Sequence, residues 1–234
     1  MKKFLLRLLS IIIVITGILV ILNMNVSTRQ GINYQWRTIR IPLYLKIQDF
    51  FDRHYNYKEL TKRIIRDTKT DKERVMKIFE WTYQNIKRVP DGFPVIDDHV
   101  WHIIIRGYGV FDQSADVFTT LCNYAGVDAF FSIIYTKDKT SQIPLSFIRL
   151  DKRWRIFDSY NGIYFKNKNG DIASIDDIKN SNYKIVSIGE IKHFDYNVFF
   201  ENLPVIKEIG LKRANIQSPL KRLIFELKKW IKQR

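Results

Sequence analysis

Apolar residues in this chain change their spacing near Gly126, and this change constrains the fold more than any other feature of the sequence. Before Gly126 the apolar side chains recur at helical intervals, whereas after it they form short β-branched and aromatic runs separated by turn residues. Helices followed by strands that neighbour one another in sequence predict an α+β fold with an antiparallel sheet. The predicted strands lie at 129–135, 145–150, 154–157 and 183–186.

Two of the predicted helices carry clear end signals. Thr70 and Glu73 match a capping box, and the apolar face that follows should end near Arg88, ahead of a proline. A second buried helix follows a Gly-x-Gly turn and should stop at Gly126, a residue type that is common just after helix ends. Further helical spacing occurs at 43–55 and 60–65.

The N-terminal segment joins a basic start to an uncharged apolar run. Counted from Phe4 to Leu22, the run would form a helix of about 28 Å, close to the roughly 30 Å of a bilayer's hydrocarbon core. An uncleaved anchor is favoured over a cleaved signal peptide, because residues 23–27 offer no small-x-small cleavage site. The basic start predicts a single-pass membrane protein with a cytoplasmic N-terminus, whose domain lies outside the cytoplasm in the cell envelope.

These features divide the chain into four segments. Residues 1–23 form the membrane anchor or signal peptide, 24–41 a polar juxtamembrane linker, 42–215 the folded domain, and 216–234 a basic amphipathic helix. Two interpretations of the last helix stay open: its apolar face packs on the domain, or it lies on a membrane surface. That apolar face comprises Leu220, Leu223, Ile224, Leu227, Trp230 and Ile231.

Charge and cysteine usage narrow the partners and site types. The net charge of +15 favours anionic partners such as phospholipid headgroups, acidic glycans or nucleic acid. Nucleic acid is the weakest of these, because the charge is spread along the chain and no recognised binding motif occurs. Cys122 is the only cysteine, which excludes an intramolecular disulfide and a cysteine-rich zinc site. The sequence also contains no phosphate-binding glycine loop, so we expect no cofactor.

Three motifs together resemble the transglutaminase-like superfamily, whose members are thiol enzymes with a papain-like core. They are Gly-Tyr-Gly-Val-Phe-Asp-Gln at 107–113, Ala-Gly-Val-Asp-Ala at 125–129, and Leu-Asp-Lys-Arg-Trp-Arg-Ile-Phe-Asp at 150–158. The resemblance extends from Asp71 to Gly162. In the family a nucleophilic cysteine lies at the N-terminal end of a central helix, and the two strands that follow supply a histidine and an aspartate.

The resemblance implies that two of these three catalytic side chains are missing here. The cysteine position falls on Phe111, and the histidine position falls on or beside Ile143. Asp158 alone is retained. Since neither a phenyl ring nor an aliphatic chain can attack a carbonyl or accept a proton, the resemblance implies a pseudoenzyme rather than an active enzyme.

Two side chains on the predicted helix of Phe111 and one polar cluster are the candidates for substitute catalytic or metal-binding groups. Cys122 lies eleven residues beyond Phe111 on the same predicted helix, about 16 Å along its axis, and belongs to an apolar stripe, so we predict a core thiol. Ser114 lies nearer the helix start but has no base within its motif. A polar cluster at 97–102 does not have the spacing of a recognised ligand set, so no metal site is predicted. Its members are Asp97, Asp98, His99 and His102.

The sequence therefore favours one function and leaves one alternative. The first is a membrane-anchored, catalytically inactive transglutaminase-like domain that binds a protein or an envelope glycan as a binding or scaffold module. The alternative is an active acyltransferase or peptide-amide hydrolase of the same family with a non-standard nucleophile.

Overall fold

A five-stranded antiparallel sheet follows a group of helices, as the change in periodicity predicts. The computed structural model describes residues 2–32, 35–95, 99–189, 194–204, 206 and 218–232. The elements before the sheet are α1 (Lys2–Asn23), β1 (Asn25–Ile32), β2 (Gln35–Pro42), α2 (Leu43–Ile64), α3 (Asp71–Asn85), β3 (Lys87–Arg88), α4 (Val100–Arg106), β4 (Tyr108–Gly109) and α5 (Phe111–Tyr124). The remaining elements are β5 (Ala129–Tyr135), β6 (Gln142–Leu150), β7 (Arg153–Asp158), β8 (Ile163–Lys166), α6 (Ile175–Lys179), β9 (Lys184–Ser187), α7 (Asn197–Phe200) and α8 (Pro219–Lys232). The α+β class is confirmed.

The sheet has the strand order β5-β6-β7-β8-β9, so each strand pairs with its neighbour in sequence. A two-residue turn at Asp151 and Lys152 joins β6 to β7, and both residues have positive φ angles, of 50° and 63°. Turns of this kind match the right-handed twist of the flanking strands. The hairpin register pairs Leu150 with Arg153 and Ser146 with Phe157.

Apolar side chains cover both faces of the sheet. On one face α3 and α5 pack against it, and the rings of Phe79, Phe118 and Phe157 contact one another with centroids 5.2–5.5 Å apart. On the other face α7 contributes Phe199 and Phe200 to a second cluster. The central helix α5 is therefore fixed in the core, while its first residue reaches the surface.

The helix signals in the sequence are confirmed in detail. Thr70 accepts a hydrogen bond from the backbone N–H of Glu73 at 3.2 Å, and the Glu73 carboxylate accepts one in return from the Thr70 backbone N–H at 3.3 Å. The helix α3 ends at Asn85, three residues before the predicted Arg88. Gly126 follows α5 with a φ of 89°, the left-handed conformation that glycine adopts without strain.

The N-terminal helix is confirmed as a candidate membrane span. The span Lys3–Asn23 contains an 18-residue stretch with a mean hydropathy of 2.9, and none of that stretch is buried. Such a helix near the N-terminus also fits a signal sequence by length and composition. The next segment, expected to be a linker without periodicity, instead forms the β1–β2 hairpin. Lys46 of α2 donates a hydrogen bond to the Ser27 carbonyl of this hairpin at 2.6 Å, which ties it to the domain.

Candidate functional site

The candidate site lies at the N-terminal end of α5, where Phe111 is the first helical residue. The two-residue strands β3 and β4 pair in parallel, and β4 ends two residues before Phe111. Gly109 fits tightly here, since a Cβ atom added to it would lie 3.1 Å from the Gln113 amide oxygen. That oxygen accepts hydrogen bonds from the Val110 backbone N–H at 3.2 Å and from the Arg106 guanidinium at 2.7 Å, which caps the helix.

The first turn of α5 packs against the four-residue turn that follows β7. The Phe111 ring meets the Tyr160 ring edge-on, with centroids 6.4 Å apart. One helical turn further on, the Ser114 hydroxyl donates to the Ser159 hydroxyl at 3.2 Å, and both serines are buried. Since Asp158 directly precedes this turn, the structure brings the helix start and the Asp158 carboxylate to the same corner of the domain.

Asp158 is 2% exposed and accepts hydrogen bonds on both carboxylate oxygens. The Asn161 backbone N–H donates to it at 3.0 Å, the Asn161 side-chain amide at 2.7 Å, and the Tyr196 hydroxyl at 2.7 Å. Burial raises the pKa of Asp158, and the hydrogen bonds from Asn161 and Tyr196 partly oppose that rise. The pKa of Tyr196 is raised by burial and by the nearby Asp158 charge. These contacts make Asp158 the centre of a buried hydrogen-bond network that joins the sheet to the segment before α7.

An arginine links this buried network to the surface. The Arg88 guanidinium lies over the Tyr160 ring, 4.7 Å from its centroid, and donates to the Asn161 side-chain oxygen at 2.9 Å. The Asn161 amide therefore receives a hydrogen bond from Arg88 and gives one to Asp158. Arg88, Phe111 and Tyr160 together are called the aromatic corner below. The Phe111 side chain is 36% exposed, so this corner is open to solvent.

Ile143 lies near the start of β6 and is 6% exposed. It belongs to the apolar cluster that also contains Tyr196, the residue whose hydroxyl binds Asp158. The described β6–β7 pairing ends with Ser146 opposite Phe157. One residue further along, the same register places Leu145 opposite Asp158. Ile143 lies two residues beyond Leu145, on the same face of β6. The assignment of Phe111 and Ile143 to the former cysteine and histidine positions stays a prediction.

The substitute nucleophiles are both buried. Cys122 is 0% exposed on the core side of α5, and burial raises its pKa well above the usual range, so the thiol stays protonated. Ser114 is also 0% exposed, and its hydroxyl is engaged with Ser159. A ring nitrogen of His54 lies 2.9 Å from the Tyr124 hydroxyl. Tyr124 is the last residue of α5, so this histidine lies at the end of the helix opposite Phe111.

The polar cluster at 97–102 is only partly described. Asp97 and Asp98 lie outside the described residues. His99 precedes α4 and His102 lies within it, with ring centroids 6.0 Å apart. Within the described part of the chain, no three His, Cys, Asp or Glu side chains are grouped so that they could hold a metal ion.

A pocket of about 270 Å³ lies elsewhere, at the other end of β7. It is lined by Trp154 together with Lys152 and Lys179, whereas Asp158 ends the same strand four residues later. Four strand residues span about 13 Å. The pocket is therefore separate from the aromatic corner.

Sequence reasoning found Phe111 and Asp158 but missed the residues that connect them. Arg88, Tyr160, Asn161 and Tyr196 carried no catalytic signature. The turn that carries Tyr160 and Asn161 ends at Gly162, which has a φ of 67° and the Tyr83 ring 2.8 Å from the position of an added Cβ. No local pattern could have paired Tyr196 with Asp158, because 38 residues separate them in the chain.

Comparisons with known proteins agree with the motifs. Residues 58–171 match the family model of the transglutaminase-like superfamily. A comparison with curated protein sequences finds no significant match.

Similar solved structures include a proposed cysteine protease from Cytophaga hutchinsonii, with 15% identity over 62% of this chain and 56% of that chain and a TM-score of 0.41. A proposed protease from Parabacteroides distasonis has 12% identity over 57% of this chain and 35% of its own, with a TM-score of 0.36. A structure described as a TGase has 10% identity over 57% of this chain and 43% of its own, with a TM-score of 0.36. This chain thus spans less than two thirds of the length of each of these structures. The match over residues 58–171 and the α+β fold identify this chain as the carrier of a transglutaminase-like domain.

Proposed function

We propose that this protein is a membrane-anchored, catalytically inactive transglutaminase-like domain that binds a protein or an envelope glycan through the aromatic corner. One observation carries the proposal: the first residue of the central helix, where the family places its nucleophile, is a phenylalanine whose ring packs on Tyr160.

The chemistry of the corner supports the loss of catalysis. Acyl transfer by a thiol enzyme needs a thiolate at the helix start, a base beside it and a group that orients the base. At this helix start Phe111 offers no nucleophilic atom. Asp158 is already saturated with hydrogen bonds from Asn161 and Tyr196, so it acts as a structural acceptor.

The same corner has the composition of a binding surface. The exposed Phe111 ring, the Tyr160 ring and the Arg88 guanidinium are held together by an edge-on ring contact and a cation–π contact. Aromatic and arginine side chains are enriched among the few residues that contribute most of the affinity at interfaces. The positive charge of Arg88 and the net charge of +15 favour an anionic ligand, either an acidic glycan or an acidic protein surface.

Anchoring by α1 is part of the proposal. The helix is long and apolar enough to cross a bilayer, and basic residues precede the apolar run. By the charge rule the N-terminus stays in the cytoplasm and the domain lies on the extracytoplasmic side. The Met24 carbonyl accepts a hydrogen bond from the Leu43 backbone N–H at 2.9 Å, so the end of α1 and the start of α2 lie together.

The alternative function is an active acyltransferase or amide hydrolase with Ser114 or Cys122 as nucleophile. Both side chains are 0% exposed, which places them behind the helix surface that a substrate would reach. This alternative therefore requires an opening of the α5–β7 corner.

Binding tests the proposed function directly. The full chain in lipid nanodiscs is passed over immobilised acidic and neutral polysaccharides and over acidic protein surfaces, and the dissociation constants are measured. For the ligand that binds, Phe111→Ala and Arg88→Ala should each weaken affinity about tenfold, the size expected for a residue central to an interface. Tyr135→Ala is the matched control, because Tyr135 is also an exposed aromatic residue but lies at the end of β5. Equal losses in all three variants would contradict a ligand site at the aromatic corner.

A further inference from the structure

The helix α8 leaves its apolar face uncovered. Every apolar side chain described on it is at least one third exposed, and Leu220, Trp230 and Ile231 are 68%, 53% and 66% exposed. At about 100° per residue, the six residues of the predicted apolar face lie within an arc of about 120°. The helix is 14 residues long, or about 21 Å. The expectation that this face packs on the domain is therefore not met by the described residues.

Basic side chains border that apolar face. Lys221 and Lys228 lie along one edge of it, and Arg222 and Lys229 lie on the far side of the helix. Glu226 is the only acidic residue of α8 and forms a salt bridge with Arg222 at 3.2 Å. The apolar face therefore has one cationic edge, and an apolar face opposite a basic polar side is typical of helices that lie in the interface of an anionic bilayer.

A second exposed apolar stripe runs along α2. Tyr44, Ile47, Phe51 and Tyr55 are 42%, 40%, 39% and 60% exposed. Their spacing places them within about 80° on one side of the helix. The stripe begins one residue after the start of α2, which contacts the end of α1. Tyrosine side chains are enriched at the level of lipid headgroups, where one end of the ring meets lipid and the hydroxyl meets water.

The two helices that carry these apolar surfaces are neighbours, since α8 contacts α2. Burial lowers the pKa of His54, and the positive charges of Lys58 and Lys221 lower it further, which places Lys221 of α8 close to α2. The helix α2 therefore connects the candidate membrane span at its start to the amphipathic helix near its middle.

We propose that the apolar face of α8, together with the stripe Tyr44–Tyr55 of α2, docks on the anionic lipid surface of the same bilayer that α1 enters. Charge favours lipid over a second copy of the chain, because face-to-face packing of two α8 helices would bring their cationic edges together on molecules that each carry +15. Docking would hold the transglutaminase-like domain against the membrane at two points. This proposal rests on the anchoring by α1 but not on the loss of catalysis or on a ligand at the aromatic corner.

Fluorescent labels on α8 test the docking. Leu227→Cys places a thiol on the apolar face, and Lys229→Cys places a matched thiol about 160° away. Cys122 is 0% exposed, so an environment-sensitive dye should react with the introduced cysteine. The full-length labelled proteins are reconstituted in vesicles of phosphatidylcholine with or without about 30% phosphatidylglycerol, a lipid fraction that gives a negative surface potential.

The expected result is strong quenching of the Leu227→Cys label by a lipid that carries a quencher near the acyl boundary, because docked helices bury their apolar face about 5–10 Å deep. The Lys229→Cys label should instead be quenched by aqueous iodide. Phe51→Cys should report lipid contact in the same way as Leu227→Cys. The Leu227→Cys signal should weaken in pure phosphatidylcholine and at high salt.

Three other results would each overturn the proposal. If α8 pairs with a second copy, protection of the Leu227→Cys label grows with protein density and is independent of anionic lipid. If α8 packs on its own domain, the label is shielded from iodide and from the lipid quencher alike. If α8 stays in water, iodide quenches both labels equally. Resistance of the protein to alkaline extraction reports α1 insertion separately, so a failed anchor is distinguishable from a failed docking surface.

Charge variants give an independent measure. Changing Lys221 and Lys228 together to Gln should lower the docking equilibrium about 25-fold, since each basic residue near an anionic leaflet contributes about a fivefold factor. The matched control changes Lys137 and Lys168, two exposed lysines outside α8, to Gln. An equal loss in the control, or no loss in the α8 variant, would contradict an electrostatic contact made by α8.

Discussion

Replacing Asp158 tests whether this carboxylate now holds the fold together. In Asp158→Ala the buried Tyr196 hydroxyl loses its acceptor, and Asn161 loses the acceptor of two hydrogen bonds. An unsatisfied buried donor costs about 1–3 kcal/mol. Removing the carboxylate also removes the cost of burying it, and water can reach Asn161, so part of that loss is offset. We expect the free energy of unfolding to fall by about 2 kcal/mol. For a domain of this size that corresponds to a melting temperature about 4–8 °C lower.

The assay is thermal and urea unfolding of the full chain, followed by tryptophan fluorescence. Asp67→Ala, at an exposed carboxylate in the turn after α2, is the matched control and should change stability by less than about 0.5 kcal/mol. A double-mutant cycle with Tyr196→Phe should show a coupling energy of about 1–2 kcal/mol. Coupling near zero, with Asp158→Ala as stable as the control, would refute the structural role of the network.

The pH dependence of this effect has a defined sign. Because the folded-state pKa of Asp158 is raised above 3.8, its protonated form stabilises the folded domain, fully at pH values below 3.8. That contribution is lost as the pH rises through the raised folded pKa. Asp158→Asn cannot ionise, so its stability relative to the original protein should improve over the same pH range. A relative stability that stays flat, or falls with rising pH, would contradict the raised pKa.

Three further predictions concern a helix cap, a turn glycine and the membrane segment. Thr70→Ala removes the capping box of α3 and should cost about 1 kcal/mol in chemical unfolding, whereas Thr140→Ala in an exposed turn serves as the control. Gly162→Ala should destabilise the domain by more than about 1 kcal/mol, because its φ is 67° and an added Cβ would lie 2.8 Å from the Tyr83 ring. Gly170 has a φ of 84° but open space around it. Gly170→Ala therefore measures the cost of the backbone conformation alone, and the extra cost of Gly162→Ala measures the steric clash. Mass spectrometry of the mature protein should find the first 22 residues intact, and a chain that begins near Asn25 would show that α1 is a cleaved signal sequence.

Local signals predicted most of the fold because the apolar spacing and the helix caps act within a few residues. The capping box at Thr70 and the turn glycine at Gly126 occur as predicted. The paired strands at 25–32 and 35–42 were missed because their residues are largely polar and basic, so the sequence shows no clear apolar alternation there. The strand at Ile163–Lys166 was missed although the strands on either side of it in the sheet were predicted.

Only the site residues that lie within a family-like motif could be proposed from the sequence. Phe111 and Asp158 sit in segments whose neighbours resemble the family pattern, and their assignment to the nucleophile and aspartate positions stays a prediction. The Asn161 contacts to Asp158 are local, three residues along the turn, whereas the Tyr196 contact joins residues 38 apart and depends on tertiary packing that no sequence spacing encodes. The exposure of the α8 face likewise depends on what the rest of the chain covers, which periodicity does not report.

The central claim is that this transglutaminase-like domain performs no acyl transfer. The most direct measurement incubates the full chain in nanodiscs with glutamine-containing peptides, an amine acceptor and simple peptide amides, and follows ammonia release, transamidation and covalent acyl-protein by mass spectrometry. The account predicts no turnover and no acylated residue, with the same result after Ser114→Ala and Cys122→Ser. Turnover that either substitution abolishes, or an acyl group found on Ser114 or Cys122, would contradict it.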